Sequence, residues 1–210
     1  MEKNIAGKLL DIKAVFLSPK EPFTWASGIK SPIYCDNRLT LSYPEVRNDV
    51  EDALTSIIMK YYPNCEMIMG TATAGIAHAA IVAHKLQIPM GYVRASSKEH
   101  GRNNQIEGKC DKKTKVVVIE DLISTGKSSL EVVKVLRDND IEVLGIASIF
   151  TYGMKKGLDL LNEAKVINHS ASNLDALLDV AVKDNYITEK QKYQLLKFRD
   201  NPSDESWMSD

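Results

Sequence analysis

The chain has 210 residues, 44% of them hydrophobic and 26% charged, with a formal net charge of −1. This length allows one or two domains with a substantial core, and the composition excludes a largely disordered chain, a collagen-like chain and a disulfide scaffold. The near-zero charge argues against nucleic acid or a membrane surface as a partner. Three scattered cysteines outside any zinc-binding spacing indicate free thiols: Cys35, Cys65 and Cys110. Residues 1–16 lack a signal-peptide pattern and no apolar run reaches membrane length, so we expect a cytoplasmic protein.

The N-terminal region predicts a helix, a turn-rich segment and a second helix. The first helix is predicted from four apolar residues at helical spacing: Ile5, Leu9, Ile12 and Phe16. It is expected to end before Ser18. Residues 20–42 combine turn signals with short β-prone pieces. The second helix is expected to begin at Ser42, because Ser42 and Glu45 match a capping box.

From residue 67 onward, short apolar strands alternate with helices. Strands are predicted at residues 67–69, 90–93, 115–119, 143–150 and, at one edge, 164–167; helices are predicted at 76–86, 128–137, 173–182 and 188–198. This alternation predicts a parallel sheet covered by helices on both faces. We therefore expect one α/β domain, made of an N-terminal appendage (about 1–42), an α/β core (about 43–170), C-terminal helices (about 171–200) and a frayed acidic tail (201–210). Because ligands of such sheets bind beyond the carboxyl ends of the strands, the loops of interest follow Met69, Val93, Ile119 and Phe150.

The segment VVVIEDLISTGKSS (116–129) carries the strongest chemical pattern in the chain. An apolar strand ends in Glu120 and Asp121, whose carboxylates are suited to accept hydrogen bonds from sugar hydroxyls. The following turn and helix N-terminus offer backbone N–H groups to a phosphate dianion, together with the hydroxyls of Ser124, Thr125 and Ser128. A P-loop is disfavoured because Asp121 stands where its first glycine belongs. The alternative is an ordinary strand, turn and helix with solvated acids.

This segment resembles the signature with which type I phosphoribosyltransferases bind phosphoribosyl pyrophosphate (PRPP). The resemblance implies their α/β fold, a parallel sheet with an N-terminal hood and C-terminal helices. It also implies that residues 124–128 bind the 5-phosphate and that Glu120 and Asp121 hold the ribose. The PRPP-binding residues that it implies are Arg94, Lys98, His100, Glu120, Asp121, Leu122, Ile123, Ser124, Thr125, Gly126, Lys127 and Ser128.

Residues 94–115 contain seven Lys or Arg and three acids, a local positive patch that suits a polyphosphate or, alternatively, a solvated surface loop. The order Arg-x-x-x-Lys-x-His-Gly followed by NQIEG resembles the catalytic loop of one group of that family, the orotate phosphoribosyltransferases. The resemblance implies that Arg94, Lys98 and His100 contact the pyrophosphate of PRPP. It further implies that Lys98, His100 and Asp121 are catalytic, and that the Arg94 loop acts in trans within a homodimer.

Two further segments resemble the same group. Residues 23–38 (FTWASGIKSPIYCDNR) are similar to its hood over the base, and this resemblance implies that Lys30 and Ser124 bind orotate. Residues 70–76 match its pyrophosphate loop, or else form a tight strand-to-helix turn. The contacts implied for this loop come mainly from the backbone of Thr71, Ala72 and Thr73.

The sequence departs from the family at three places, two near the base and one, Ala95, in the loop implied to contact pyrophosphate. Ala26 and Ala95 stand where relatives carry Lys, and residues 151–153 lack an Arg that some relatives have. Trp25 and Tyr34 suit stacking on a pyrimidine and equally suit the core.

The implied reaction transfers ribose 5-phosphate from PRPP to orotate, giving orotidine 5-phosphate and pyrophosphate in pyrimidine (UMP) biosynthesis. Its cofactor is Mg²⁺, held mainly by PRPP with no direct protein ligand. Two alternatives stay open: a phosphoribosyltransferase for another base, and a non-enzymatic regulator that senses PRPP.

The remaining histidines are not at the spacing typical of a metal site. We expect His78 and His84 on helix faces and His169 in a turn.

Overall fold

The computed structural model describes residues 1–25, 28–94 and 105–209. Its strands are β1 (Val15–Leu17), β2 (Phe23–Thr24), β3 (Lys30–Ser31), β4 (Ile33–Cys35), β5 (Met67–Thr71), β6 (Met90–Val93), β7 (Ile106–Glu107), β8 (Lys115–Ile123), β9 (Glu142–Thr151) and β10 (Asn168–Asn173). Its α-helices are α1 (Glu2–Asp11), α2 (Pro44–Tyr61), α3 (Ala74–Leu86), α4 (Lys127–Asp138), α5 (Lys155–Glu163), α6 (Leu174–Lys183) and α7 (Glu189–Asp200). Two 3₁₀ helices cover Asn37–Ser42 and Glu205–Ser209. No helix within these residues is long and apolar enough to cross a bilayer.

Six strands form the central sheet in the order β10-β9-β8-β5-β6-β7. All neighbours are parallel except β7, which runs antiparallel to β6, so the predicted parallel α/β sheet is confirmed. Alternate residues of β8 enter two cores: Val117 and Ile119 belong to the core that also contains buried residues of α1, α2 and α3, and Val116 and Val118 belong to the core that contains those of α4. Burial of both faces explains the continuous apolar strands. The carboxyl ends of β5, β6, β8 and β9 consequently share one edge of the sheet.

The N-terminal region differs from the prediction at two points. Helix α1 ends at Asp11, and Phe16 lies in β1, which pairs antiparallel with β4. Lys13 has a φ of 56°, a left-handed conformation that ends the helical path before Phe16. Helix α2 begins at Pro44 because Ser42 belongs to a 3₁₀ helix, and proline suits the first helical position.

The region after β9 contains a helix that the sequence pattern did not predict. Residues 155–163 form α5, and the edge strand predicted at 164–167 lies instead at 168–173 as β10, parallel to β9. Polar residues fill β10, so its hydrophobic pattern is weak. His169, expected in a turn, lies in this strand, where its ring stacks on Tyr61 with centroids 3.7 Å apart.

The C-terminal helices lie within two residues of their predicted ranges, and Thr188 and Gln191 form the expected capping box of α7. The prediction of a frayed tail is wrong for residues 205–209. They form a 3₁₀ helix that buries Trp207 against Phe198, with ring centroids 5.8 Å apart. One large aromatic side chain therefore anchors a segment whose composition is otherwise acidic and polar.

Candidate active site

The two acids at the end of β8 have different surroundings. Glu120 is buried, and its carboxylate accepts hydrogen bonds from Thr71 Oγ1 at 2.8 Å and Ser129 Oγ at 2.8 Å. It also accepts a hydrogen bond from the backbone N–H of Asp121 at 3.0 Å. Asp121 itself is only half-buried. Of the two acids implied to hold a sugar, Asp121 is thus the more accessible, and Glu120 joins β5, β8 and α4.

These surroundings raise the pKa of Glu120 to about 7. Burial is the main cause, and the neighbouring negative charge of Asp121 acts in the same direction, whereas the hydrogen bonds from Thr71 and Ser129 lower the pKa. Near neutral pH, Glu120 therefore carries a proton in part of the molecules and is able to donate as well as accept a hydrogen bond.

Residues 124–126 form a short loop between β8 and α4. Gly126 is the N-cap residue of α4 with a φ of 72°, a conformation that favours glycine. The first N–H groups of a helix have no partner within it, and its N-terminal end attracts anions. The side chains around this end are partly or fully accessible: Ser124, Thr125, Lys127 and Ser128.

Leu122 and Ile123, also implied to bind PRPP, have their side chains in the packed interior. Ile123 is buried, and its carbonyl accepts hydrogen bonds from Tyr152 N–H at 3.0 Å and Thr151 Oγ1 at 3.3 Å. Leu122 is partly buried against the core. These two residues thus position the loop, and the accessible groups come from the residues that follow.

Helix α5, absent from the predicted elements, packs directly against this loop. A Cβ atom at Gly157 would lie 2.7 Å from the carbonyl oxygen of Ser124 and 3.4 Å from the backbone of Thr125. Only a residue without a side chain allows this approach. The loop backbone is therefore supported by α5 as well as by the end of β8.

Residues 71–73 connect β5 to α3 beside the same edge. Thr71 is buried, and its hydroxyl oxygen lies 2.8 Å from Glu120 and 3.1 Å from the carbonyl oxygen of Ile119. A Cβ atom at Gly75 would collide with that carbonyl and with the Thr71 hydroxyl. Helix α3 consequently begins in close contact with β8.

The other two residues of this loop present little side chain. Ala72 donates its backbone N–H to the carbonyl of Val93 at 3.1 Å, and the Ala72–Thr73 peptide bond is cis. Thr73 precedes α3 as its N-cap residue and makes no side-chain cap. Because the Ala72 N–H is already engaged, any anion held here would meet mainly the backbone N–H groups of Thr73 and of the first turn of α3.

Arg94 directly follows β6 and is the last described residue before position 105. Its backbone N–H donates to the carbonyl of Gln105 at 2.9 Å, and Gln105 Nε2 donates to the Arg94 carbonyl at 3.1 Å, which extends the β6–β7 hairpin. Arg94 Nε also lies 3.1 Å from Glu107 Oε1 of the same chain. A pocket of about 280 Å³ lies between Arg94, Ala72 and Ser128. Two implied loop residues lie outside the described part of the chain: Lys98 and His100.

The hood is attached to the end of β8 by a buried asparagine. Asn37 Nδ2 donates a hydrogen bond of 2.7 Å to the carbonyl oxygen of Asp121. No local signal indicates this contact, because its partners lie 84 positions apart. Lys30, implied to bind orotate, is exposed on the β2–β3 hairpin, where its Nζ donates to Thr24 Oγ1 at 2.7 Å.

The aromatic candidates of the hood separate into a core residue and an exposed one. Trp25 stacks on Tyr152 at 6.0 Å and meets Phe198 edge-on at 5.7 Å, which favours the core role. Tyr34 is 42% exposed and packs against Phe23 with centroids 5.6 Å apart. Tyr152 occupies the region where some relatives carry Arg, and burial raises its pKa well above the ordinary value, so its hydroxyl stays neutral.

The carboxylates at the end of β8 suit a metal ion that is bound mainly by the phosphates of a substrate. Within the described residues, no cluster of three or more His, Cys, Asp and Glu side chains is placed to hold an ion. The oxygens of Glu120 already accept protein hydrogen bonds, which leaves Asp121 as the more accessible carboxylate. Mg²⁺ is commonly held by one or two carboxylates, water and substrate phosphates, and this arrangement suits such a site.

Comparison with known proteins gives the family of the chain. Residues 41–186 match the family model of the phosphoribosyl transferase domain. The chain is 53% identical over 209 residues to an orotate phosphoribosyltransferase of Bacillus cereus (strain G9842) and 50% identical over 210 residues to that of Halalkalibacterium halodurans; each alignment covers 100% of both chains. The crystal structure of orotate phosphoribosyltransferase from Aeropyrum pernix has a TM-score of 0.75 and 30% identity, covering 87% of this chain and 99% of that one. The chain therefore belongs to the phosphoribosyltransferase family, in its orotate phosphoribosyltransferase group.

Proposed function

We propose that this chain transfers the ribose 5-phosphate group of PRPP to orotate, giving orotidine 5-phosphate and pyrophosphate in pyrimidine biosynthesis. One observation carries the proposal: the acid pair, the hydroxyl-rich N-terminus of α4 and the loop of residues 71–73 lie at the same edge of the sheet. They do so in a chain that is similar over its full length to orotate phosphoribosyltransferases. In this pentosyl transfer, C1 of the ribose exchanges its bond to a pyrophosphate oxygen for a bond to a ring nitrogen of the base.

The β8–α4 segment supplies the groups that hold ribose 5-phosphate. The N–H groups and hydroxyls of residues 124–128 are suited to the 5-phosphate. The accessible carboxylate of Asp121 accepts hydrogen bonds from ribose hydroxyls, and Glu120 beside it contributes a group that titrates near neutral pH. Together these contacts fix C1 relative to the sheet edge.

Catalysis by this site rests on positioning and charge. C1 gains oxocarbenium character as pyrophosphate leaves, so the protein supplies no nucleophile and stabilises the charge of the leaving group instead. We assign this role to the backbone of residues 71–73 and to the loop that carries Arg94, Lys98 and His100, which in the homodimer proposed below acts in the partner's site. The guanidinium of Arg94 then exchanges its ion pair with Glu107 for pyrophosphate. Mg²⁺, when bound, neutralises part of the same charge.

Orotate is assigned to the space between the hood and the loop after β8. The exposed ammonium group of Lys30 provides a cation for the orotate carboxylate, and the hydroxyl of Ser124 provides a polar contact. The hydrogen bond from Asn37 to the Asp121 carbonyl keeps the hood close to the acids that hold the ribose.

The proposed function is tested by supplying PRPP and Mg²⁺ with orotate, uracil or hypoxanthine and following the loss of each base. We expect orotate alone to be consumed. Consumption of another base in place of orotate would contradict the base assignment and preserve the PRPP site. Binding of PRPP without turnover of any base would contradict an enzymatic role and support a regulator.

Asp121→Asn tests the role of the accessible carboxylate. We expect kcat/KM to fall about 100-fold, because one charged contact to the reacting sugar is weakened in the transition state. The melting temperature should stay within a few degrees of the wild type. Asp138→Asn, an exposed change on the same β8–α4 unit, serves as the control. Full activity of the Asp121 variant would rule out this role.

We also propose that the enzyme is a homodimer in which the Arg94 loop completes the partner's site. Lys98→Ala and Asp121→Asn subunits, each strongly impaired as homodimers, are then expected to regain activity when mixed, because one heterodimer site contains neither defect. Heterodimers verified by native mass spectrometry that show no recovery would contradict action in trans.

A cytoplasmic location is the last part of this proposal. The three cysteines are free thiols, the state typical of a reducing compartment: Cys35, Cys65 and Cys110. Burial raises the pKa of each thiol, which keeps it protonated and unreactive at neutral pH.

A further inference from the structure

Two ionisable side chains that no step above uses are completely buried between α2 and α3. His78 Nδ1 lies 2.6 Å from Glu51 Oε1, and both side chains have 0% exposure. Within the described residues, Glu51 Oε2 and His78 Nε2 have no hydrogen-bond partner. Burial raises the pKa of Glu51, and the contact with His78 opposes this effect. Burying two ionisable groups, each with one unpaired polar atom, costs free energy, so packing alone does not explain their presence here.

The position of His78 suggests that reason. Helix α3 begins at Ala74, directly after the loop formed by residues 71–73, and His78 lies one turn farther along the helix. Apolar contacts hold α3 against the sheet but have no preferred direction. A short hydrogen bond is directional, so the His78–Glu51 contact fixes the rotation of α3 about its axis.

A second polar contact joins the same helices at the other end of α3. Lys85 Nζ lies 2.6 Å from Asp52 Oδ1, but the Asp52 side chain is 67% exposed. Exposed ion pairs contribute little to holding a geometry. The buried pair is therefore the stronger directional contact between α2 and α3, and it is the one nearer the loop.

The composition of the loop makes this orientation important. Ala72 and Thr73 have short side chains that reach no distant ligand, and the Thr71 hydroxyl is already engaged with Glu120. Contacts to pyrophosphate then depend on where the backbone N–H groups at the start of α3 point. Residues 71–73 themselves offer no long side chain that could correct an error in that direction.

We propose that His78 and Glu51 are positioning residues that set the orientation of α3 and thereby place the backbone of residues 71–73 for pyrophosphate. The inference rests on the proposed function of this loop. It extends the site to two residues buried inside the domain, neither of which touches the substrate.

The test compares two substitutions of His78 in pyrophosphorolysis of orotidine 5-phosphate. His78→Asn keeps a group able to hydrogen-bond near the position of Nδ1, and His78→Leu removes it. We expect the KM for pyrophosphate to rise about tenfold in the Leu variant, as for the loss of one aligned hydrogen bond, with the KM for orotidine 5-phosphate within about twofold. The Asn variant should behave nearly as the wild type.

A double variant keeps the test decisive if His78→Leu alone fails to fold. Replacing a buried ion pair by apolar residues of similar size is often neutral or stabilising, so Glu51→Leu/His78→Leu should fold. We expect it to retain the raised KM for pyrophosphate. A purely structural pair would instead give a double variant with normal kinetics.

Val82→Ala is the matched control, because Val82 is fully buried one turn farther along α3. It should lower the melting temperature and leave the KM for pyrophosphate unchanged. The inference is overturned if the folded double variant has the wild-type KM for pyrophosphate, if the Asn and Leu variants are impaired equally, or if Val82→Ala raises this KM as much. Absence of any transfer reaction in the wild type would overturn the proposed function instead.

Discussion

Glu120 illustrates how burial changes the role of a carboxylate at the end of a strand. Its oxygens accept hydrogen bonds from Thr71 on β5, from Ser129 on α4 and from the backbone of Asp121. It therefore holds together the elements that carry the two loops proposed to bind phosphate and pyrophosphate. Sequence reasoning finds the acid pair from its place at a strand end, but it does not separate the buried acid from the accessible one.

The raised pKa of Glu120 predicts a pH dependence of stability. Below pH about 4.5 the Glu120 carboxyl group is protonated in the folded and the unfolded state. Between about 4.5 and 7 only the folded state keeps the proton, so the contribution of Glu120 to the free energy of unfolding falls as pH rises. The loss amounts to roughly 3 kcal/mol and is complete above pH 7. Glu120→Gln should remove this loss, which urea unfolding at a series of pH values measures.

Glu163→Gln is the control for this measurement, because Glu163 is an exposed carboxylate at the end of α5. This variant should keep the wild-type dependence on pH. Coincident pH profiles of wild type and Glu120→Gln would contradict a pKa near 7 for Glu120.

At the scale of elements, α5 shows why a helix with an interior glycine is difficult to predict from sequence. Residues 155–163 contain Gly157 at an interior position, where glycine weakens a helix by about 1 kcal/mol relative to alanine. The structure uses this position to bring α5 against the backbone of Ser124 and Thr125. The helix is thus stabilised by a contact with a loop that lies about thirty positions earlier, which no local pattern contains.

Gly157→Ala is expected to separate α5 from the loop of residues 124–126, which is proposed to bind the 5-phosphate. A methyl group 2.7 Å from the Ser124 carbonyl forces one backbone to move, at a cost of about 1–3 kcal/mol. We expect a lower melting temperature and a several-fold higher KM for PRPP, measured by thermal unfolding and steady-state kinetics.

Gly7→Ala on α1 provides the comparison for that change. A Cβ atom at Gly7 meets nothing closer than Val180 Cγ1 at 3.8 Å. Alanine should therefore leave the KM for PRPP unchanged and leave stability equal or higher by up to about 1 kcal/mol. Equal effects of the two substitutions would contradict the specific contact between α5 and the loop.

Other helices and strands are predicted well from local sequence patterns. The alternation of apolar strands and helices predicts the parallel sheet, and Thr188 with Gln191 predicts the start of α7. The predicted strand 115–119 extends to Ile123 in the structure, because pairing with β9 continues through Leu122 and Ile123. Boundaries thus depend on the neighbouring strand as well as on the strand's own residues.

At the scale of the whole molecule, the C-terminal segment belongs to the core. Trp207 is 1% exposed and packs on Phe198, whose ring also contacts Trp25 of the hood. Gln194 Nε2 donates to the Trp207 carbonyl at 3.1 Å. The end of the chain and the hood are consequently joined through one aromatic cluster.

Trp207→Ala should lower the free energy of unfolding by about 3–5 kcal/mol, because it removes a large buried side chain and leaves a cavity. Chemical denaturation measures the loss. Met208→Ala, at an exposed neighbouring position, should change it by less than about 1 kcal/mol. A small effect of the Trp207 substitution would show that the tail does not stabilise the domain.

The sequence by itself determined what is encoded by neighbouring residues: the α/β class, the strand that ends in Glu120 and Asp121, and the hydroxyl-rich turn before α4. The tertiary structure alone decided which acid is buried, how Asn37 attaches the hood to Asp121, and how His78 meets Glu51. The physical reason is that these contacts join residues far apart in the chain. Burial, hydrogen-bond partners and pKa depend on the environment that folding creates, and the residue type fixes only what each group is able to donate or accept.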